Sequence, residues 1–227
     1  MIRFENVYKR YPNGREALTS VSFRLEKGEM AFLTGPSGAG KSTLLKLIAL
    51  IERPSRGTVL VGNQNTSRIR RRRIPQFRRR IGIVFQDHKL LNDRSVFDNV
   101  ALPLTIGALR RRELERRVRA ALDQVGLLRH EKQYPLSLST GEQQRVGIAR
   151  AVASRPELVI ADEPTGNLDP DLSLETMRLF ERFNEVGVTL LIASHDLELI
   201  DKLDHRRLRL EGGKIVADFD GISAERR

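Results

Sequence analysis

Continuous apolar runs alternate along this chain with apolar positions at helical spacing, and that alternation predicts its elements. Residues 2–34 read as strands: VSFRL alternates and EMAFLTG runs apolar, with Gly28 turning the chain between them. STLLKLIALI at 42–51 places its apolar residues at helical spacing, and Pro54 is expected to stop it. RGTVLVGN at 56–63 and IGIVF at 81–85 predict two more short strands. Residues 96–154 follow a largely helical pattern, broken at Gly107, Gly126 and Pro135. ELVIAD at 157–162 and VTLLIAS at 188–194 are again apolar strands, and a β-rich segment at 206–219 follows. Strands with little alternation are expected where both faces are covered, as in a parallel sheet flanked by helices. The pattern therefore predicts an α/β fold, and no internal repeat interrupts it.

Composition narrows the picture. With 227 residues, 40% hydrophobic and 30% charged, the chain is long enough to bury a sizeable core. It has no cysteine, which excludes disulfides and thiolate metal sites. The first residues, MIRFENVYKRYPNG, lack the apolar core of a secretory signal. No run approaches the ~18 apolar residues that span a bilayer. Action at a membrane is thus expected to be peripheral, by docking to a spanning partner or by lying on the surface. The net charge of +11 is concentrated: residues 68–80, RIRRRRIPQFRRR, hold eight Arg and no acid, and residues 110–119, RRRELERRVR, hold six Arg and two Glu. Outside these two stretches the charges nearly cancel.

The clearest chemistry lies at Gly35-Pro36-Ser37-Gly38-Ala39-Gly40-Lys41-Ser42, followed by Thr43, between an apolar strand and the start of a helix. The order G-x-x-x-x-G-K-[ST] in that context is a phosphate loop. Glycines let backbone N–H groups converge on phosphate oxygens, and the helix N-terminus adds partial positive charge. Lys41 is expected to reach the β- and γ-phosphates of ATP, and the Ser42 hydroxyl to ligate Mg²⁺. The strand Leu158–Asp162 ends in a carboxylate, which places Asp162 at the carboxyl edge of a parallel sheet where ligands bind. Asp162 is expected to hold Mg²⁺, and Glu163 to polarise the attacking water.

Between these elements stands Leu138-Ser139-Thr140-Gly141-Glu142-Gln143-Gln144-Arg145, which resembles the signature of the ABC family of ATP-binding subunits. Other family features follow in order: Gln86 after IGIVF, Gly166-Asn167-Leu168-Asp169 after Glu163, His195 after VTLLIAS, and Tyr11 in the first β segment. The resemblance covers essentially the whole chain. It implies a P-loop NTPase (RecA-like) core with an antiparallel β subdomain and a helical signature subdomain. Residues 1–227 would form one ATP-binding domain, with the core at about 1–88 and 155–227 and the helical part at about 89–154. It further implies an ATPase working as an ATP-dependent homodimer. Tyr11 would stack on adenine, and Gln86 would approach the γ-phosphate and the metal. His195 would contact the γ-phosphate, and Ser139, Gly141 and Glu142 would come from the other subunit. One departure stands out: Thr140 replaces the first glycine of the usual signature. Its β-branch restricts φ, while Ser139 and Gly141 remain, so a retained but weaker composite site is expected.

Within the family, GEMAFLTGPSGAGKSTLLKLI, IGIVFQDHKLL, DNVALPL, GEQQRVGIARAV and ADEPTGNLD are similar to the subunit that serves cell division. Its integral membrane partner controls cell-wall hydrolysis. Subunits for lipoprotein release or macrolide export share ADEPTGNLD and are the alternative. Either reading implies a location at the cytoplasmic face of the inner membrane. Leu90, Leu91, Val96 and Phe97 are candidate contacts for the partner's coupling helix. The arginine stretches raise two further partners. DNA-acting relatives carry long coiled-coil or zinc insertions between the two nucleotide motifs. Here roughly 120 residues separate Lys41 from Asp162, without sustained heptads or cysteine, so nucleic acid is not expected. An anionic membrane surface is the other candidate, attracting about 1 kcal/mol per basic residue.

Overall fold

Strands with every residue apolar must be covered on both faces, and the computed structural model, which describes residues 1–106 and 109–219, shows how. β1 (Ile2–Arg10), β2 (Glu16–Leu25), β4 (Arg56–Val61) and β5 (Gln64–Asn65) form an antiparallel sheet in the order β2-β1-β4-β5. β3 (Met30–Thr34), β6 (Ile81–Val84), β7 (Leu158–Asp162), β8 (Thr189–Ala193), β9 (Arg206–Glu211) and β10 (Lys214–Phe219) form a second sheet. Its order is β10-β9-β3-β8-β7-β6, and every pairing is parallel except β10 with β9.

The two faces of this sheet feed two different cores. Met30 and Phe32 of β3, Val159 and Ala161 of β7, and Leu190 and Ile192 of β8 point into one of them. Ala31 and Leu33, Leu158 and Ile160, and Leu191 and Ala193 point into the other. Alternation survives, but both sets are apolar because both faces are dry.

The first core is closed by α3 (Val96–Thr105), α4 (Arg111–Gln124), α5 (Thr140–Val152) and α6 (Pro170–Glu185), through residues such as Val100, Leu122, Ile148 and Phe180. The second joins α1 (Lys41–Ile48) to the antiparallel sheet, where Phe4 and Phe23 stack with centroids 4.8 Å apart. α2 (Ile74–Arg78) lies before β6, and α7 (Leu197–Asp201) after β8. Antiparallel β, RecA-like α/β and helical parts are thus all present, as the resemblance implied.

Some boundaries differ from the sequence reading. The first helix ends at Ile48 rather than at Pro54: Leu50 adopts φ +53°, and the Arg78 guanidinium donates to the carbonyls of Ala49 and Leu50. A distant arginine therefore closes this helix. Val96, read as a docking contact, has no exposed surface and belongs to the helical core. Leu90 and Phe97 are half-buried against the same core, and only Leu91 is exposed, at 42%. The buried Asn99 folds the intervening loop by donating to the carbonyls of Leu91, Arg94 and Ser95. The expected break at Gly107 lies outside the described residues.

Candidate nucleotide site

The carboxyl ends of β3, β8, β7 and β6 are neighbours in the sheet, and each is followed by a group with chemistry to offer. The phosphate loop leaves β3, His195 follows β8, Asp162 ends β7 with Glu163 next in the chain, and Gln86 follows β6. These are residues 35–42, 195, 162–163 and 86 in the sequence, yet they converge because parallel strands all present the same end. All of them but Gly35 and Asp162 line one cleft of about 870 Å³, and Asp162 stands at the strand end just before Glu163. It is lined by Pro36 through Thr43, Gln86, Glu163 and His195, and also by Tyr11, Asn13, Arg15, Lys46 and Glu52.

The loop needs glycine at both ends. At Gly35, φ is +140° and a Cβ would lie 2.0 Å from the Leu210 carbonyl oxygen. At Gly40, φ is +112° and a Cβ would lie 2.5 Å from the Ala17 carbonyl oxygen. Any side chain there would push the loop off the sheet. Lys41 opens α1 and is only 8% exposed. Its Nζ donates to the carbonyl oxygens of Gly35 at 2.7 Å and Pro36 at 3.3 Å. Glu163 Oε1 stands 3.5 Å from the same nitrogen.

Glu163 holds a left-handed backbone, φ +49°, which a β-carbon disfavours. Its N–H donates to the Ala193 carbonyl, fixing that geometry against β8. The carboxylate then lies between Lys41 and His195, with Oε2 2.6 Å from His195 Nδ1. A histidine donating Nδ1–H to a carboxylate leaves Nε2 for a ligand.

Asp162 fits a divalent cation. One of its oxygens, Oδ1, is buried without a hydrogen-bond partner, and the Ser42 hydroxyl bonds the carboxyl. Burial pushes this carboxyl above the usual aspartate range, and the charge of Glu163 adds to the push. The Ser42 hydrogen bond, Lys41 and Lys46 pull it back. Among the described residues no cluster of three or more His, Cys, Asp or Glu forms a metal cage. Mg²⁺ takes one or two protein oxygens and completes its shell with phosphate and water, and Ser42 and Asp162 would supply the protein oxygens.

The orphan oxygen carries a prediction. Removing the charge at Asp162 removes a buried group that costs stability when no cation is bound. Because the folded state raises this carboxyl's pKa, its cost grows as pH rises through the carboxylate range. Asp162→Asn is therefore expected to melt higher than the parent without Mg²⁺, by about 2–4 °C for a gain near 1 kcal/mol. The gain should be larger at pH 8 than at pH 4, while Mg²⁺-dependent ATP hydrolysis is lost. Differential scanning calorimetry at both pH values checks it, and a variant melting lower than the parent at pH 8 contradicts the account.

Tyr11 lies just past the end of β1 rather than within it. Its hydroxyl is 3.3 Å from Thr43 Oγ1, and Lys9 Nζ lies 4.9 Å from the ring centroid. The ring thus borders the cleft beside the phosphate loop. Ser139, Gly141 and Glu142 are not among its lining residues. They sit at the N-terminus of α5, where Ser139 and Glu142 close a reciprocal capping box with bonds of 2.8 and 3.3 Å. Hydrogen bonds donated by the Ser139 backbone N–H and hydroxyl hold the Glu142 carboxyl below its ordinary range. Thr140 is the first helical residue of α5, exposed and free of positive φ. The position does not demand glycine, so the backbone reason for expecting a weak signature is absent.

Sequence reasoning missed Asn13, Arg15, Lys46 and Glu52 in the cleft. Lys46 follows Ser42 by four residues and so shares its helix face, a signal that helical spacing carries. Arg15 reaches the Gly38 carbonyl at 3.5 Å only because the β1–β2 hairpin folds back over the loop. It also missed Arg150 of α5, whose guanidinium donates to the carbonyls of His88 and Lys89 at 2.7 Å for the latter. Both residues have positive φ, and this contact ties the strand-exit segment after Gln86 to the signature helix.

Comparison with known proteins agrees with this geometry. The ABC transporter family profile matches residues 18–166. The chain is 57% identical over 215 residues to the cell division ATP-binding protein FtsE of Escherichia coli K12, covering 95% of this chain and 97% of that one. It is 45% identical over 218 residues to FtsE of Bacillus subtilis, covering 96% of each. Among solved structures, the dimeric cassette MJ0796 superposes with a TM-score of 0.89 at 35% identity, over 96% of this chain and 98% of that one. A post-hydrolysis dimer of MJ0796 bound to ADP and Pi gives 0.88 at 34%, with the same coverage. With cleft, fold and relatives in agreement, this chain belongs to the ABC transporter family of ATP-binding proteins.

Proposed function

We propose that this chain is the ATP-hydrolysing subunit of an FtsEX-like cell-division complex, driving an FtsX-like membrane protein that controls cell-wall hydrolysis. The observation that carries the ATPase part is the convergence of phosphate loop, Glu163, His195, Gln86 and Asp162 at four adjacent strand ends. In this reading the backbone amides of the loop and Lys41 hold the β- and γ-phosphates. Ser42 and Asp162 would hold Mg²⁺, with Gln86 nearby, and the ion would supply charge neutralisation at the phosphates. Glu163 takes a proton from the attacking water, and the products are ADP and phosphate. His195, oriented by Glu163, presents Nε2 to the γ-phosphate. Tyr11 packs against adenine.

Ser139 and Gly141 act on the ATP of a second copy. They lie outside their own cleft, and the cassette MJ0796, similar to this chain, is described as dimeric. Two copies facing head to tail close as an isologous pair, with ATP between them. Loss of the γ-phosphate removes contacts that bridge the pair. The division into a core at about 1–88 and 155–227 and a helical part at about 89–154 lets α3 and the Gln86 exit loop carry that change to the partner. Leu91 and the half-buried Leu90 and Phe97 offer its coupling helix an apolar seat.

Among the described residues no helix is long and apolar enough to cross a membrane, which supports peripheral attachment at the cytoplasmic face. The cell-division reading rests on the identity to FtsE proteins. Purification of the chain from its own membranes is expected to bring down an FtsX-like protein, identified by mass spectrometry. Recovery of a lipoprotein-release or macrolide-export permease instead would overturn it.

A further inference from the structure

The two arginine-rich stretches look alike in sequence, and the fold treats them differently. On α4, Arg111 pairs with Glu115 at 2.9 Å, Arg116 and Arg117 both pair with Glu113 at 2.7 Å, and Arg119 pairs with Glu131 at 3.0 Å. Four of the six arginines at 110–119 thus have a carboxylate partner, three carboxylates serving the four. In the other stretch, three have structural work. Arg78 closes α1, Arg79 donates to the Ile106 carbonyl at the end of α3, and Arg80 grips Glu157 with bonds of 2.8 and 3.0 Å.

Five arginines are left over. Arg68, Arg70, Arg71, Arg72 and Arg73 are exposed, and among the described residues none has a side-chain hydrogen bond or ion pair. They are not a loose tail. Ile69 and Ile74 are half-buried against the core on either side, and Arg53 donates to the carbonyls of Thr66, Ser67 and Ile69 at 3.1, 2.9 and 2.7 Å. Arg71–Arg73 form a single 3₁₀ turn. Four consecutive guanidinium groups on so tight a turn repel one another, and no carboxylate offsets them. An anion supplied from outside would relieve that repulsion.

We propose that Arg68 and Arg70–Arg73 form a docking surface for the anionic headgroups of a lipid membrane. Nucleic acid fits the same turn less well. The one aromatic side chain of the stretch, Phe77, is buried and offers no stacking platform for bases. α2 is only five residues long, too short to lie along a groove as a recognition helix. A plane of phosphate headgroups asks only for clustered charge at its surface. The contact would orient the subunit on the bilayer whichever membrane protein it serves, so it stands apart from the identity of that partner.

The test is co-sedimentation of the full chain with vesicles of phosphatidylcholine alone or with about 30% phosphatidylglycerol. Binding is expected only to the anionic vesicles and should fall steeply between low and high salt. Replacing Arg70, Arg71, Arg72 and Arg73 together with Gln is expected to lower the partition coefficient at least tenfold. The double variant Arg110→Gln/Arg112→Gln should lower it far less. Because the four side chains are exposed and none has a hydrogen bond or ion pair among the described residues, melting temperature and ATP turnover in solution should stay at parent values, which separates this outcome from failure of the nucleotide site. Equal binding to neutral vesicles, or retention by the quadruple variant, overturns the proposal. So does preferential binding of duplex DNA at physiological salt, abolished by the same four substitutions, without vesicle binding.

Discussion

Glu163→Gln is expected to lower ATP turnover by at least a hundredfold and to accumulate as an ATP-bound dimer. The carboxylate is held where a base is needed: one oxygen is 2.6 Å from His195 Nδ1 and the other 3.5 Å from Lys41 Nζ. Its backbone is held at φ +49° with a bond to Ala193, and His195 and Lys41 hold the carboxylate from two sides. Glutamine has the same shape and keeps a carbonyl oxygen for His195. It cannot take a proton from water, and a positioned general base contributes typically 10²–10⁴-fold. Binding is untouched, so the γ-phosphate persists and the pair stays closed. Phosphate-release kinetics read the first effect, and size exclusion with light scattering reads the second. Turnover within threefold of the parent would remove Glu163 from the role of base. A dead variant that stays monomeric in saturating ATP would instead remove the dimer from the mechanism.

Lys41→Ala is expected to weaken ATP binding by at least about thirtyfold, the lower end of the 2–5 kcal/mol that truncating a buried, hydrogen-bonded charge costs. The nitrogen is nearly out of water, at the N-terminus of α1, and faces the space enclosed by the loop. The other two cations of the cleft, among the described residues, approach it from elsewhere. Lys46 borders the same cleft but stands beyond Ser42 along the helix, and Arg15 approaches from the hairpin side, at the Gly38 carbonyl. Alanine also leaves the carbonyls of Gly35 and Pro36 without their donor. A melting curve should therefore accompany isothermal titration calorimetry. An unchanged dissociation constant in a folded variant would show that the loop amides alone hold the phosphates.

The two variants separate the halves of the site. One removes chemistry and spares binding, the other removes binding first. If both lose turnover but only Lys41→Ala loses affinity, the division between the loop after β3 and the acid after β7 is functional as well as geometric. Asp162→Asn adds the metal half, since its loss of activity should come with a gain in stability.

Much of the site could be read from the chain because its motifs are local. The phosphate loop, Asp162-Glu163 and the signature are each contiguous, and each sits at a strand end or helix start that local apolar pattern marks. The fully apolar strands likewise predicted a sheet covered on both sides, and β3, β7 and β8 carry that out with alternate residues in two separate cores.

Tertiary structure alone decided what depends on pairing across distance. No local pattern shows that α1 stops at Ile48, since the group that stops it is Arg78, thirty residues on. None shows that Val96 is sealed in the core, or that Arg15 is folded onto the loop, because side-chain burial and strand register are settled by what packs opposite. The arginines make the point most plainly. Sequence supplied their number and charge, but a guanidinium is free or spent according to the carboxylates and carbonyls that the fold brings within 3 Å. By that measure most of those on α4 are spent, and Arg68 and Arg70–Arg73 are not.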